Sequence, residues 1–153
     1  MNQVRVAIDG PSGTGKSSVS KLAAKEHGWG YLDTGAMYRA LTWWCRHTEV
    51  DLGDADAIIT AALGLPLEIG DDPQAPTVAV DGTDVAAAIR TSEISSLVST
   101  VATVPEVRVE MQRRQRALID DIAARHGACV AEGRDVTTVI APDAQVRILL
   151  TAS

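Results

Sequence analysis

The chain has 153 residues, of which 46% are hydrophobic, and its formal net charge is −6. This length suits one domain with a single buried core, and the acidic balance argues against a general nucleic-acid-binding surface. Cys45 and Cys129 lack the spacing of a metal site, so we expect buried thiols in a reducing compartment. No apolar run approaches the roughly 20 residues that span a bilayer, and no signal segment precedes the first predicted strand. We therefore expect a cytoplasmic protein that binds neither nucleic acid nor membrane.

The first predicted elements flank a glycine-rich loop. Residues 4–8 are rich in β-branched side chains, which is typical of a strand, and residues 18–27 have helical spacing and end at Gly28. The apolar positions of this helix are Val19, Leu22 and Ala23. Between the strand and the helix, residues 10–17 read Gly-Pro-Ser-Gly-Thr-Gly-Lys-Ser, which is the G-x-x-x-x-G-K-S/T pattern of a phosphate-binding loop.

This loop pattern has one chemical use. Its glycines let the backbone wrap a phosphate closely, its N–H groups point inward, and the following helix adds the positive potential of its N-terminus. Lys16 supplies a cation for the outer phosphates, and the Ser17 hydroxyl can ligate Mg²⁺. We therefore predict that the chain binds a nucleoside triphosphate. The residues predicted to contact it are Gly10, Pro11, Ser12, Gly13, Thr14, Gly15, Lys16, Ser17 and Ser18.

The rest of the chain alternates between predicted strands and helices, apart from one hairpin. In order, these are a strand at 29–32, helices at 34–48 and 54–63, a hairpin at 65–69 and 77–80, helices at 91–103 and 105–126, and strands at 128–131 and 145–150. The alternation indicates an α/β fold with a parallel sheet covered by helices on both faces. We predict one domain over 1–153, with its core at 1–63 and 88–153 and a small antiparallel β-rich insertion at about 64–87.

Polar segments follow three of the predicted strands, at the sheet edge where open parallel sheets bind ligands. The first is the loop, the second is 33–39, and the third is 132–135. Glu132 is placed to hold Mg²⁺ or its waters, with helix capping or pairing to an arginine as the alternatives. Arg39 and Arg134 are candidates for bidentate phosphate contacts. The triplet at 33–35 also matches the aspartic-protease signature, which would require an all-β chain, whereas helices dominate here.

Four segments together resemble the bacterial cytidylate kinases: I-D-G-P-S-G-T-G-K-S at 8–17, L-D-T-G-A-M-Y-R at 32–39, I-R-T at 89–91 and E-G-R-D at 132–135. The resemblance extends over essentially the whole sequence, including the strand-rich insertion. It implies a P-loop kinase sheet and transfer of the γ-phosphoryl group of ATP to CMP or dCMP with Mg²⁺. The implied partners are these small nucleotides, and we expect a monomer.

By matching position, the resemblance also implies roles for individual residues. The catalytic set is Lys16, Arg39 and Arg134, and the metal set is Ser17 and Glu132. The substrate set is Ser12, Asp33, Thr34, Tyr38, Arg39, Ser99, Arg108, Arg134 and Asp135, of which Ser99, Arg108 and Asp135 would read the cytosine. Two positions depart from the family pattern: Thr34 stands where many members have Ser, and Thr137 stands where many have Gly.

The implied chemistry is consistent with these side chains. A carboxylate such as Asp135 can accept the exocyclic amino group of cytosine, and Arg108 suits the acceptors at its ring nitrogen and carbonyl. Uracil reverses two of these groups, so we expect strong discrimination against it. The attacking phosphate oxygen is already anionic at neutral pH, so catalysis needs no general base and depends on in-line positioning and charge neutralisation.

Two alternatives remain open from the residues. A kinase for another small acceptor, of the shikimate or gluconate type, would share the loop without needing the Arg108–Asp135 pair. A nucleotide-dependent switch would bind without transfer, although the N-K-x-D segment of guanine-specific switches is absent. Relatives continue past the fourth core strand into an arginine-bearing lid, further helices and a last strand. We therefore expect the sequence to be part of a longer protein, and a molecule ending at Ser153 to bind triphosphate weakly and transfer phosphoryl groups poorly.

Overall fold

The computed structural model describes residues 3–11 and 14–151 of the chain. They form two compact units. The first unit comprises Met1–Gly35, Gly70–Pro76 and Arg114–Ser153, and the second comprises Ala36–Ile69 and Thr77–Arg113. The elements in chain order are β1 (Val4–Asp9), α1 (Lys16–His27), β2 (Gly30–Asp33), α2 (Thr34–His47), α3 (Ala55–Leu63), β3 (Leu67–Ile69), β4 (Val78–Val80), β5 (Thr83–Asp84), α4 (Ser92–Ala102), α5 (Pro105–His126), β6 (Ala128–Gly133) and β7 (Val146–Leu149).

A parallel four-stranded sheet organises the first unit. Its strand order is β2-β6-β1-β7, and Val6 of β1 lies between Val130 of β6 and Val146 of β7. All six residues of β6 are buried, as expected for an inner strand of a sheet covered by helices. The predicted α/β class with a helix-flanked parallel sheet is therefore confirmed.

Small side chains bring α1 onto this sheet. Its buried residues are Ser20 and Ala24, and Ala24 belongs to the core cluster of the unit. Val19 and Leu22, two of the apolar positions identified in the sequence, are instead 45% and 55% exposed. Small residues on the inner face permit a close approach of helix and sheet, which places the first turn of α1 near the ends of the central strands.

The edge strand β2 is covered by the segment Gly70–Pro76. The backbone N–H of Tyr31 donates to the carbonyl of Asp71 at 2.9 Å. The carboxylate of Asp71 is held by the C-terminal end of α5, at 2.6 Å from Arg125 Nη1 and 3.2 Å from His126 Nε2. A second carboxylate, Asp121, also pairs with Arg125, with its Oδ2 2.9 Å from Arg125 Nη2. An ionic cluster therefore fixes this segment along the outer side of the sheet.

The second unit contains the small antiparallel sheet, in the order β3-β4-β5. Leu67 pairs with Val80, which confirms the predicted hairpin. The sequence did not predict β5, which pairs with β4 through a tight turn. Asp81 and Gly82 form this turn with φ angles of 51° and 77°, as a type I′ hairpin requires. Within the described residues, no helix is both long and apolar enough to cross a membrane.

Candidate active site

The loop after β1 supplies the first part of the candidate site. Lys16 opens α1, and its Nζ donates to the carbonyls of Gly10 at 2.9 Å and Gly133 at 3.3 Å. Gly15, with φ of 79°, takes the left-handed conformation that turns the loop into the helix. The ammonium group therefore lies where the ends of β1 and β6 meet. Ser12 and Gly13, two of the predicted loop residues, lie outside the described part of the chain.

Glu132 is a buried carboxylate held by two hydroxyl groups. It is 2% exposed, Ser17 Oγ donates to its Oε1 at 2.6 Å, and Tyr31 Oη donates to its Oε2 at 2.8 Å. Burial raises the pKa of Glu132, the hydrogen bond from Ser17 opposes that rise, and the negative charge of Asp33 adds to it. Burial also raises the pKa of Tyr31, together with the charges of Asp33 and Glu132, so the phenol stays a donor.

This pair of side chains fits a magnesium ion. The Ser17 hydroxyl and the Glu132 carboxylate are hard oxygen donors, which Mg²⁺ prefers, and they lie 2.6 Å apart at the start of α1. Of the alternatives weighed for Glu132, neither helix capping nor an arginine partner describes its contacts, which in the described residues are these hydroxyls. The metal assignment of Ser17 and Glu132 stays a prediction.

Thr34 connects the ends of β2 and β6. Its hydroxyl donates to the carbonyl of Glu132 at 2.8 Å, and its side chain is buried. A Cβ at Gly133 would collide with this hydroxyl, so the close contact requires glycine there. Gln115 of α5 is fully buried beside it, with Nε2 3.5 Å from the Thr34 carbonyl. Thr34, predicted to contact substrate, therefore has a structural contact of its own.

Arg134 and Asp135 follow β6 directly, and a wide helical turn, Val136–Ile140, follows them. Arg134 is exposed and Asp135 is half-buried. The Asp135 carbonyl accepts the N–H groups of Val139 at 2.9 Å and Ile140 at 3.2 Å. These contacts fix the backbone carbonyl of Asp135 at the start of the turn.

Four other predicted residues lie in the second unit. Arg39 donates through Nη1 to Ser95 Oγ at 2.7 Å and to the carbonyl of Ile89 at 3.2 Å. Arg108 lies 3.5 Å from the carbonyl of Ala102. The remaining two are Ser99, exposed on α4, and Tyr38, half-buried on α2. The first unit, by contrast, brings Lys16, Ser17, Asp33, Thr34, Glu132, Arg134 and Asp135 to its strand ends.

Comparison with known proteins identifies the family. The family model described as cytidylate kinase matches residues 6–153. The chain belongs to the cytidylate kinase family. It is 52% identical over 152 residues to a cytidylate kinase of Streptomyces griseus, and 54% identical over 150 residues to one of Streptomyces avermitilis. These matches cover 99% and 98% of the chain and 64% of each relative, so the chain spans about two-thirds of their length.

A more distant member of the cytidylate kinase family gives the same picture. The cytidylate kinase of Lactiplantibacillus plantarum is 43% identical over 150 residues, which covers 98% of the chain and 64% of the relative. The loop, the 33–39 segment and the 132–135 segment all lie within the range that the family model matches. These three segments of the candidate site therefore lie within the part of the chain that matches the family.

Sequence reasoning missed three residues that shape this site. Tyr31, read only as part of a strand, binds Glu132. Asp9, read only as a flank of the loop, accepts hydrogen bonds from Val136 and Thr137. Arg116, which lies in the predicted helix at 105–126 and was given no role, donates to the carbonyls of Val139 and Ile140. Of these three residues, only Asp9 had a sequence feature that could have indicated its role, which is a carboxylate at the end of a buried strand.

Proposed function

We propose that the protein transfers the γ-phosphoryl group of ATP to CMP or dCMP, forming ADP and CDP or dCDP. The observation that carries this proposal is the cluster of half-buried Ser17 with buried Glu132 and Tyr31 beside Lys16, in a chain of the cytidylate kinase family. A hydroxyl, a carboxylate and an ammonium group at the start of a helix are the parts that a phosphoryl-transfer centre needs. The chain spans 64% of the length of these relatives, so we propose the activity for the whole protein to which the chain corresponds.

On the donor side, the loop residues 10–18 hold the phosphates of ATP through backbone N–H groups. Lys16 exchanges its two carbonyl partners for phosphate oxygens, which are far stronger acceptors. Ser17 and Glu132 hold Mg²⁺. When bound, this ion neutralises charge on the donor phosphates and polarises the group being transferred.

On the acceptor side, Arg134, Arg39 and Ser12 hold the phosphate of CMP, with Asp33, Thr34 and Tyr38 beside them. Ser99, Arg108 and Asp135 read the base. Asp135 accepts the amino group of cytosine and Arg108 donates to its ring acceptors, an arrangement that uracil cannot satisfy. The acceptor oxygen is anionic, so the side chains orient the reactants and neutralise charge without removing a proton.

We also propose that the protein is a cytoplasmic monomer. It would have one domain with a β-rich insertion at about 64–87. Both cysteines are buried, and burial raises the pKa of Cys45 to about 11 and that of Cys129 to about 12. Such thiols stay protonated and unreactive, which supports a structural role in a reducing compartment.

A panel of acceptors tests the proposed function. The full-length protein, with ATP and Mg²⁺, is expected to phosphorylate CMP and dCMP, and to use UMP with a kcat/KM at least about a hundredfold lower. AMP, shikimate and gluconate complete the panel. Turnover of a sugar acid without turnover of CMP or dCMP would overturn the proposal, as would tight ATP binding with no transfer to any acceptor.

A further inference from the structure

Asp9 is a buried carboxylate that the proposed chemistry leaves unused. It is the last residue of β1 and is 2% exposed. Its Oδ1 accepts the N–H of Val136 at 2.9 Å, and its Oδ2 accepts the N–H of Thr137 at 2.8 Å and the hydroxyl of Thr137 at 2.6 Å. Hydrogen bonds to an ionised acceptor are roughly twice as strong as neutral ones. Three of them converge here on the start of the turn that follows Asp135.

The other end of this turn is also held by a charged side chain. Arg116 of α5 donates through Nε to the carbonyl of Ile140 at 3.2 Å and through Nη2 to that of Val139 at 2.9 Å. A hydrogen bond from Ala141 N to the Val136 carbonyl at 2.8 Å closes the turn. The turn Val136–Ile140 is therefore fixed at both ends, with Asp9 at the end nearest the candidate site.

The backbone of Asp9 meanwhile sets the start of the phosphate loop. Asp9 is paired with Gly133 in the sheet, and its carbonyl accepts the N–H of Leu150 at 2.8 Å. The next residue, Gly10, donates to the carbonyl of Gly133 at 3.2 Å. Gly133 is held by the sheet and Val136 by the Asp9 side chain, so the two residues between them, Arg134 and Asp135, are anchored on both sides.

We propose that Asp9 is a positioning residue that fixes the Arg134–Asp135 segment relative to the loop, with the Thr137 hydroxyl as its third donor. The inference rests on the proposed function, which assigns the loop to ATP and Arg134 and Asp135 to CMP. Phosphoryl transfer requires reacting atoms about 3–3.5 Å apart, and a shift of roughly 1 Å can cost about a hundredfold in rate. One side chain joins the two substrate-binding segments and sets their spacing.

Substitutions at Asp9 and Thr137 test this role through the Michaelis constants of the two substrates. In D9N, one amide N–H must face a backbone N–H, so the start of the turn moves. We expect the KM for CMP to rise about tenfold or more while the KM for ATP stays within about twofold. T137V removes only the hydroxyl donor and should raise the KM for CMP about threefold. T137S keeps the hydroxyl and should restore a KM for CMP near the wild-type value.

A matched control and a binding measurement complete the test. T60V makes the same exchange at an exposed position of α3, where the hydroxyl donates to the carbonyl of Asp56 one helical turn earlier. It should change neither KM. Calorimetric titration with CMP measures binding independently of turnover. If D9N does not fold, T137V still tests the positioning role, because it retains Asp9 and both backbone donors.

The outcomes separate this inference from the proposed function. If the wild-type protein neither binds nor phosphorylates CMP, the proposed function fails and the inference fails with it. If the wild type phosphorylates CMP but T137V and every folded D9N preparation keep its KM for CMP, the positioning role alone is overturned. Equal rises in both KM values with a lower Tm would show a merely structural role and overturn it too.

Discussion

Two buried carboxylates lie at the carboxyl ends of neighbouring strands of the same sheet, and their hydrogen-bond partners differ in kind. Glu132 of β6 is held by the hydroxyls of Ser17 and Tyr31, whereas Asp9 of β1 is held chiefly by the backbone N–H groups of Val136 and Thr137. Both are 2% exposed. Burial alone therefore does not distinguish a carboxylate that serves a ligand from one that serves the scaffold.

The difference lies in what each partner can do. A hydroxyl can rotate and can either donate or accept, so Ser17 can release Glu132 when a cation arrives. A backbone N–H can only donate, and its direction is fixed by the turn. The Glu132 contacts are therefore exchangeable, and those of Asp9 to the backbone are permanent. Exchange of each carboxylate for its amide should separate the two roles.

The largest expected effect is on transfer in E132Q. Loss of the carboxylate weakens Mg²⁺ binding, so kcat/KM for CMP should fall about a hundredfold and the Mg²⁺ concentration for half-maximal rate should rise. A magnesium titration of the initial rate measures both. E26Q, at an exposed position of α1, is the matched control and should behave as wild type. Wild-type magnesium dependence in E132Q would remove Glu132 from the metal site.

Stability should respond in the opposite order. D9N leaves a donor facing a donor and should lose about 2 kcal/mol of unfolding free energy, a fall in Tm of about 4–8 °C. E132Q should lose less than about 1 kcal/mol, because either hydroxyl can turn round to accept from the amide. Thermal and urea unfolding of both variants measures the contrast. Equal losses in the two variants would contradict the distinction between exchangeable and permanent partners.

A smaller effect is expected from Y31F. It removes one of the two hydroxyls and leaves Glu132 Oε2 without its phenolic donor. We expect the Mg²⁺ requirement to rise about threefold while the KM for CMP is unchanged, because the Tyr31 hydroxyl acts through its hydrogen bond to Glu132. The same magnesium titration measures it. A selective change in the KM for CMP would show that Tyr31 acts elsewhere.

The smallest effect concerns a more exposed carboxylate, Asp71. Burial opposes its ionisation, but hydrogen bonds and charge from Arg125 and His126 outweigh burial and lower the pKa of Asp71. Asp121 also pairs with Arg125. A lowered pKa gives stability that is present above the unfolded-state pKa and lost as the pH falls through the folded-state pKa.

D71N should therefore lower the Tm by about 3 °C at neutral pH. The difference from wild type should close as the pH falls below the usual carboxyl range, because the wild-type Asp71 is then protonated as well. Melting curves across that range measure the effect. D143N, an exposed substitution in the same unit, is the control. A difference that persists unchanged in acid would show that charge is not the cause.

The sequence predicted the elements well because their signals are local. The strand, glycine loop and helix at 4–27, and the long helix beginning at Pro105, were visible in residue types and spacing. The inner face of α1 was not, since Ser20 and Ala24 pack inward while larger apolar residues stay exposed. Helical spacing indicates that a helix has faces and does not reveal how near the sheet lies.

The contacts that organise the candidate site are not local. Asp9 and Val136 are 127 positions apart, and Tyr31 and Glu132 are 101 apart. No pattern in the sequence joins such residues, because the parallel register of β1, β2 and β6 brings them together only in the folded sheet. Thr137, noted only as a departure from the family pattern, adds its hydroxyl to the group on Asp9.

The segment that covers β2 limits how the chain can be cut. Gly70–Pro76 lies in sequence between β3 and β4, yet it belongs to the first unit and bonds to Tyr31. Excising the whole hairpin would therefore strip the cover from an edge strand and leave its N–H groups as a template for self-association. A shortened protein designed without the hairpin would have to keep Asp71 and its neighbours, or replace them with another cap for that edge.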